Sequence, residues 1–280
     1  MVFSAKNTIK ALNIKNNSSS LLCLPPEYIA GKMMIVRAIV NKMNLITTLP
    51  SALPTIEKYV DFSAMTALQV KNIIDNDISE LNKIGKLIIG GGKIDQNVIE
   101  SLQSVNTEIY ETYGMTETAS HIALKQINGI NKSDFFTILN GIDIESNENN
   151  QLLITSIGLG VNKLLTNDIV RIISPTKFQW VGRLDNVINS GGIKLYPEEI
   201  ESKLKSHIDE EIIIFGIEEP KYGNICCLAI EGKERELKLI FEKHLSKYEI
   251  PKRIFFLSNF PRTISNKIIR QKVIDQISNL

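Results

Sequence analysis

Cysteine is scarce in this sequence, with only Cys23, Cys226 and Cys227 in 280 residues. Three cysteines cannot build a disulfide framework. The adjacent pair lies in an apolar strand pattern, so buried thiols in a reducing, cytoplasmic compartment are expected. Histidine is equally sparse: His121, His207 and His244 show no ligand spacing, which argues against a His/Cys metal site. An excess of charge is lacking too, since a formal net charge of +1 gives no basic surface for nucleic acid. No apolar run approaches the roughly 20 residues of a membrane helix. The longest, such as Ile212 to Phe215, are strand-sized. The start, Met1 to Lys6, has neither a long apolar signal core nor a small-residue cleavage site. These absences argue against nucleic acid and membrane as partners and leave a homo-oligomer open.

What is present is an ordinary globular composition, 43% hydrophobic, enough for one large or two modest domains. Val2, Ala5, Ile9 and Leu12 predict a helix over 1–12 with those residues as its apolar face. Strands are expected at 21–24, 45–49, 86–89 and 107–112, alternating with helices at 32–41, about 68–75 and after Gly92. That alternation predicts an α/β fold with ligand loops at strand ends. From Phe135 the pattern changes to short strands and polar turns, a β-rich subdomain over about 135–181. A small α+β domain follows, with a helix from Pro197, strands near 211–217 and 224–231, a helix over 234–245, a strand at 253–257 and a terminal helix. Pro197 suits a first helical turn, and Glu198 and Glu199 suit its N-terminus. The expected domains are 1–182 and 183–280, joined in the glycine-rich stretch Gly182–Glu201.

Several short motifs carry chemistry. Tyr113, Gly114, Met115, Thr116, Glu117 and Thr118 follow a strand. A hydroxyl there can donate to phosphate, and a hard carboxylate oxygen suits Mg²⁺; a capped turn is the plain alternative. Gly90, Gly91 and Gly92 let backbone groups approach a flat purine, or form a flexible turn. Asp168 can accept from both hydroxyls of a ribose, or serve a hairpin turn. Arg183 can give paired donors to the same ribose or to a phosphate, or make a surface ion pair. Lys267, near the C-terminus, can neutralise charge developing in nucleotidyl transfer, or be simply solvated.

The order and spacing of these motifs resemble the acyl-adenylate-forming enzymes: acyl-CoA synthetases, peptide-synthetase adenylation domains and luciferases. Tyr113–Glu117 is similar to the family's aromatic-Gly-x-Thr-Glu motif, and Asp168 to its ribose-binding aspartate, with Asn167 where glycine is usual. Gly182–Asp185 resembles its Gly-Arg-x-Asp hinge. Pro261–Arg270 resembles its C-terminal lysine segment, with Asn266 in place of glycine. Within the family the o-succinylbenzoate–CoA ligases are similar in further runs: Leu24–Gly31, with Tyr28 at a histidine position, Tyr113–His121, and the Tyr196–Glu201 helix start.

The resemblance implies ATP, Mg²⁺ and CoA as co-substrates of a carboxylic acid. Thr116 would hold phosphate and Glu117 the metal; Lys267 would bridge carboxylate and phosphate. Gly90, Gly91, Gly92, Tyr113, Gly114, Asp168 and Arg183 would hold the nucleotide, and Tyr28, Met115 and Ser120 the acyl group. Asp185 would be the pivot that brings Gly191 and Gly192 in for CoA. The implied fold is a partial large N-terminal domain and a small mobile C-terminal one. The family's phosphate-wrapping loop, ending Gly-x-Pro-Lys, has no counterpart here, so a fragment is expected. A ligase for another acyl acid and a non-catalytic AMP- or CoA-binding remnant stay open as alternatives.

Overall fold

The structure is a computed structural model that describes residues 1–92, 94–219, 223–263 and 268–278. The chain divides into two compact units, Met1–Thr166 with Val170–Trp180, and Asn167–Ile169 with Val181–Leu280.

The first unit is built on one sheet. Its parallel part comprises β1 (Ser19–Leu22), β2 (Asn44–Thr47), β3 (Val60–Thr66), β4 (Ile84–Gly90) and β5 (Glu108–Met115). β6 (Ser120–Gln126) and β7 (Phe136–Ile138) then continue it antiparallel. β8 (Asp143–Ser146), β9 (Gln151–Ser156), β10 (Val161–Ser174) and β11 (Lys177–Arg183) complete the order β2-β1-β3-β4-β5-β6-β7-β11-β10-β9-β8. The β-rich part is thus hydrogen-bonded in series with the parallel strands. β3 and β6 are strands that the sequence pattern does not announce. Both are buried on two faces, so they lack alternation.

Apolar residues divide between the two faces. Leu22, Phe62, Ile88, Phe136 and Phe178 pack in one core with Met34 of α2 (Ile29–Val40). Leu21, Val60, Leu87 and Ile89 pack in the other, with Val70 and Ile73 of α3 (Ala67–Asp77) and Val98 of α4 (Gln96–Ser101). A reciprocal cap starts α3: the Thr66 hydroxyl accepts from the Gln69 N–H, and the Gln69 side chain accepts from the Thr66 N–H.

The first helix, α1 (Val2–Ala11), keeps most of its expected face, since Ala5 and Leu12 are buried and Ile9 packs on the core. It buries Ser4, Ala5, Asn7 and Thr8, while Val2 is exposed. The polar side chains have partners waiting. Asn7 donates to the Asn140 carbonyl at 2.7 Å, and Thr8 bonds Ser4 and His121. Hydrogen bonding lets the helix bury these polar side chains beside its apolar ones.

The second unit centres on the antiparallel pair β14 (Ile212–Glu219) and β15 (Gly223–Glu231). The short strands β12 (Ile188–Ser190) and β13 (Ile193–Leu195) and the parallel strand β16 (Arg253–Leu257) complete its sheet. One face packs on α5 (Pro197–Lys205) and α6 (Lys238–His244), the other on α7 (Arg270–Ser278). α6 is shorter than expected. Pro197 opens α5 with Glu198 and Glu199 in its first turn, as its sequence predicts. Cys226 and Cys227 face opposite cores, and burial pushes their thiols up to about 12 and about 11. No helix among the described residues is long and apolar enough to cross a membrane.

Candidate functional site

In the first unit the candidate residues gather at the carboxyl ends of parallel strands. Thr66 pairs with Gly90 across β3 and β4, and Ile89 with Glu111 across β4 and β5. Thr112 donates its hydroxyl to the Ile89 carbonyl at 3.0 Å, tying β5 to the strand that delivers Gly90, Gly91 and Gly92. The next residue, Tyr113, leans its ring on Phe178 at 5.1 Å and Phe136 at 5.8 Å. A bulge between Tyr113 and Gly114 then shifts the register against β6.

Beyond Met115 the chain makes one 3₁₀ turn, Thr116–Thr118. Thr118 is buried inside it. Its hydroxyl accepts from the Met115 N–H at 3.0 Å and donates to the Ser120 carbonyl at 2.7 Å. The turn therefore presents Thr116 and Glu117 to solvent and returns Ser120, half-buried, into β6. Tyr28 precedes α2 and is 70% exposed.

Behind Ser120 lies a residue that the motif reading does not include. Arg37, on α2, is 1% exposed, and its Nη2 donates to the Ser120 Oγ at 3.1 Å. Its Nη1 has only the Met34 sulfur at 3.9 Å, and its Nε has no partner among the described residues. No carboxylate pairs with it among the described residues, although buried charges are ordinarily paired. Burial pushes its guanidinium down to about 10, still a cation near neutrality. A sequence signal exists: Arg37 is the one charge within the run Met33 to Val40.

His121 completes the cluster. Its Nε2 is 3.0 Å from the Thr8 Oγ1 and its Nδ1 is 3.4 Å from the Ser120 Oγ. Burial holds its imidazole well below the usual value, and the Arg37 charge adds to this. The folded chain keeps His121 neutral, whereas the unfolded chain protonates it below about pH 6.5. Stability is therefore full above that pH and falls as pH drops beneath it, by about tenfold in the unfolding equilibrium per unit. Urea titrations between about pH 7 and about pH 5 should show this slope in the native chain and a reduced one in His121→Gln. An equal slope in the variant would place the acid sensitivity elsewhere.

The second unit holds the other candidates. Arg183 Nη2 donates to the Asp185 Oδ2 at 3.0 Å, and its Nη1 lies 3.8 Å from the Asp168 Oδ1. Asn167 reaches both Asp185 oxygens at 3.4 Å. Asp168, Arg183 and the pivot candidate Asp185 thus form one cluster. The Arg183–Asp185 pair is exposed and contributes at most about 1 kcal/mol.

Gly182 leaves room for the Glu198 side chain. A Cβ there would lie 2.4 Å from the Glu198 Oε2, and Glu198 also accepts from the Asn186 side-chain amide at 2.5 Å. Gly191 and Gly192, at φ +58° and +83°, form the two-residue turn between β12 and β13, where Ser190 pairs with Ile193. Consecutive positive φ angles are those of a type I′ hairpin, which glycine adopts without strain. Lys267 lies outside the described residues.

No protein-family model matches the chain. A 2-succinylbenzoate–CoA ligase of a Geobacillus species is 24% identical over 317 residues, covering 99% of this chain and 64% of that protein. The chain spans about 64% of the length of the curated relatives it matches. The o-succinylbenzoate CoA synthetase of Bacillus subtilis, solved with its acyl-adenylate intermediate, has a TM-score of 0.79 at 21% identity, covering 97% of this chain and 63% of that one. That likeness speaks for the fold. The AMP-forming acyl-CoA synthetase/AMP-acid ligase II-like protein of Dyadobacter fermentans is 32% identical with a TM-score of 0.65, covering 99% of this chain and 83% of that one. By that identity and coverage, the chain belongs to the AMP-forming acyl-CoA synthetase and AMP-acid ligase family.

Proposed function

We propose that the protein activates an aryl dicarboxylic acid, 2-succinylbenzoate, as its adenylate and passes the acyl group to CoA. The observation that carries the substrate reading is Arg37, a buried cation with no carboxylate partner among the described residues, bonded to Ser120 of the Tyr113–His121 segment. One carboxylate of the acid must meet the nucleotide to react. A buried cation outside the nucleotide motifs calls for a second carboxylate, which a guanidinium can receive on paired N–H donors. The Geobacillus relative is named for an acid of that kind.

In the first half-reaction a carboxylate oxygen attacks the α-phosphorus of ATP. A new O–P bond forms, the bond to the bridging oxygen breaks, and pyrophosphate leaves. Gly90, Gly91, Gly92, Tyr113 and Gly114 face the nucleotide, Thr116 donates to a phosphate oxygen, and Lys267 neutralises charge between carboxylate and phosphate. Asp168 and Arg183 hold the ribose. Glu117, an exposed hard-oxygen donor, fits Mg²⁺, which binds through one or two carboxylates with substrate phosphates completing its shell. When bound, the metal screens phosphate charge.

In the second half-reaction the CoA thiolate attacks the acyl carbon, the C–S bond forms, and AMP leaves. Asp185 is the pivot between the two and Gly191–Gly192 the turn brought in for CoA. Tyr28 and Met115 flank the acyl group.

Calorimetry with 2-succinylbenzoate, and with the same acid lacking its ring carboxylate, tests this reading. The native chain should prefer the diacid, and Arg37→Gln should weaken diacid binding by about 100-fold while leaving the monoacid unchanged. Equal binding of the two acids by the native chain would overturn it.

A further inference from the structure

The buried cluster behind Ser120 has a direction. Thr8 has one hydroxyl proton, and its oxygen lies 3.1 Å from the Ser4 carbonyl, which can only accept. With that proton committed, Thr8 meets His121 Nε2, at 3.0 Å, as an acceptor, so Nε2 carries the imidazole proton. His121 is neutral, because burial and Arg37 both disfavour its cation. Nδ1 is then bare and takes the Ser120 hydroxyl proton across 3.4 Å. This leaves the Ser120 oxygen with lone pairs only, matched to the Arg37 Nη2–H at 3.1 Å. The opposite tautomer would send the Ser120 proton towards the Arg37 donors, opposing one donor with another.

We infer that Thr8 and His121 are specificity-determining positioning residues: acting through Ser120, they fix the Arg37 guanidinium so that its Nε, without a partner among the described residues, and its Nη1, which meets only the Met34 sulfur, receive the second carboxylate of the acid. The inference rests on the assignment of Arg37 to that carboxylate. The pieces come from three separate elements: Thr8 from α1, Arg37 from α2, and Ser120 with His121 from β6. It also accounts for the polar face that α1 buries. Thr8 is fully buried, and among the described residues its hydroxyl serves only this chain of bonds and the helix's own Ser4 carbonyl.

Long-range ¹H–¹⁵N spectra of the three histidines, with His121 assigned by its loss in His121→Leu, give the first test. The Nε2–H tautomer is expected in the native chain; the Nδ1–H tautomer would overturn the inference whether or not any variant folds. The second test is calorimetry with 2-succinylbenzoate and with the same acid lacking its ring carboxylate. Thr8→Val and His121→Leu should each weaken diacid binding by about tenfold, the scale of one buried hydrogen bond, without changing monoacid binding. Thr8→Ser, which keeps the hydroxyl, should restore it. If the native chain fails to prefer the diacid, the Arg37 assignment fails. If it does prefer the diacid, and Arg37→Gln abolishes that preference while Thr8→Val and His121→Leu retain it, only the relay fails.

Discussion

Phe178→Ala is expected to destabilise the first unit by about 3–5 kcal/mol, the range for a fully buried phenylalanine. Phe178 is completely buried, stacked on Phe136 at 5.5 Å and meeting Tyr113 edge-on at 5.1 Å. Truncation removes the ring's transfer free energy and leaves a cavity walled by two aromatics whose positions are set by other strands. The two ring–ring contacts add about 0.5–1.5 kcal/mol each beyond area. Against a typical domain stability of about 5–15 kcal/mol, the loss would bring the unit close to its unfolding threshold. The single tryptophan, Trp180, belongs to this unit and gives the readout. Urea unfolding followed by its emission should show a lower midpoint with an unchanged slope. A loss under about 1 kcal/mol would mean that the surroundings collapse into the space, and that Tyr113 is not held by this ring.

Lys267→Ala is expected to slow adenylate formation by about 10²–10³-fold, the cost of removing a preorganised group that stabilises transition-state charge. Thioester formation from supplied adenylate should be spared. The described residues on either side are firmly tied. Ile269 donates to the Pro261 carbonyl at 2.8 Å, and Arg262 and Ile268 form an antiparallel bridge. Glu231 pairs with Arg262 and accepts from the Phe260 N–H at 2.7 Å. Arg270 donates to the Glu201 carboxylate at 2.7 Å and to the Ile214 carbonyl at 2.6 Å. With both flanks anchored inside the second unit, removing one side chain should leave that unit folded. The kinetic loss then reports the ammonium itself. Pyrophosphate release measures the first half-reaction and CoA consumption with added adenylate the second. Equal losses in both would rule out a role confined to adenylation.

Local segments were legible in the sequence and distant pairings were not. Pro197 with its following acids, the alternation of strands and helices, and the glycines at 191 and 192 are readable because each depends on neighbours within a few residues. β3 escaped because Val60 to Thr66 is covered on both faces, so Ser63 is as buried as Phe62 and no alternation marks the strand. On α1, periodicity marks Ala5, Ile9 and Leu12, which do pack inward, but not Asn7 and Thr8, which find partners at Asn140 and His121, more than a hundred positions away. A capped turn around Thr116 was legible as the plain alternative to a phosphate site, and in the structure Thr118 holds that turn. Arg37 was not, since its contact with Ser120 spans 83 positions and its helix otherwise passes for an ordinary apolar segment.

The contact between Gly182 and Glu198 has a consequence for how this junction can vary. The glutamate carboxylate occupies the volume that any other side chain at 182 would need, and its second oxygen is committed to Asn186. The two positions therefore share a single allotment of space. A scan of 182 alone, with Glu198 kept, tests only how far that carboxylate can move aside, whereas shortening Glu198 opens the room that a side chain at 182 needs. Only libraries that vary 182 and 198 together can reveal which substitutions this junction accepts.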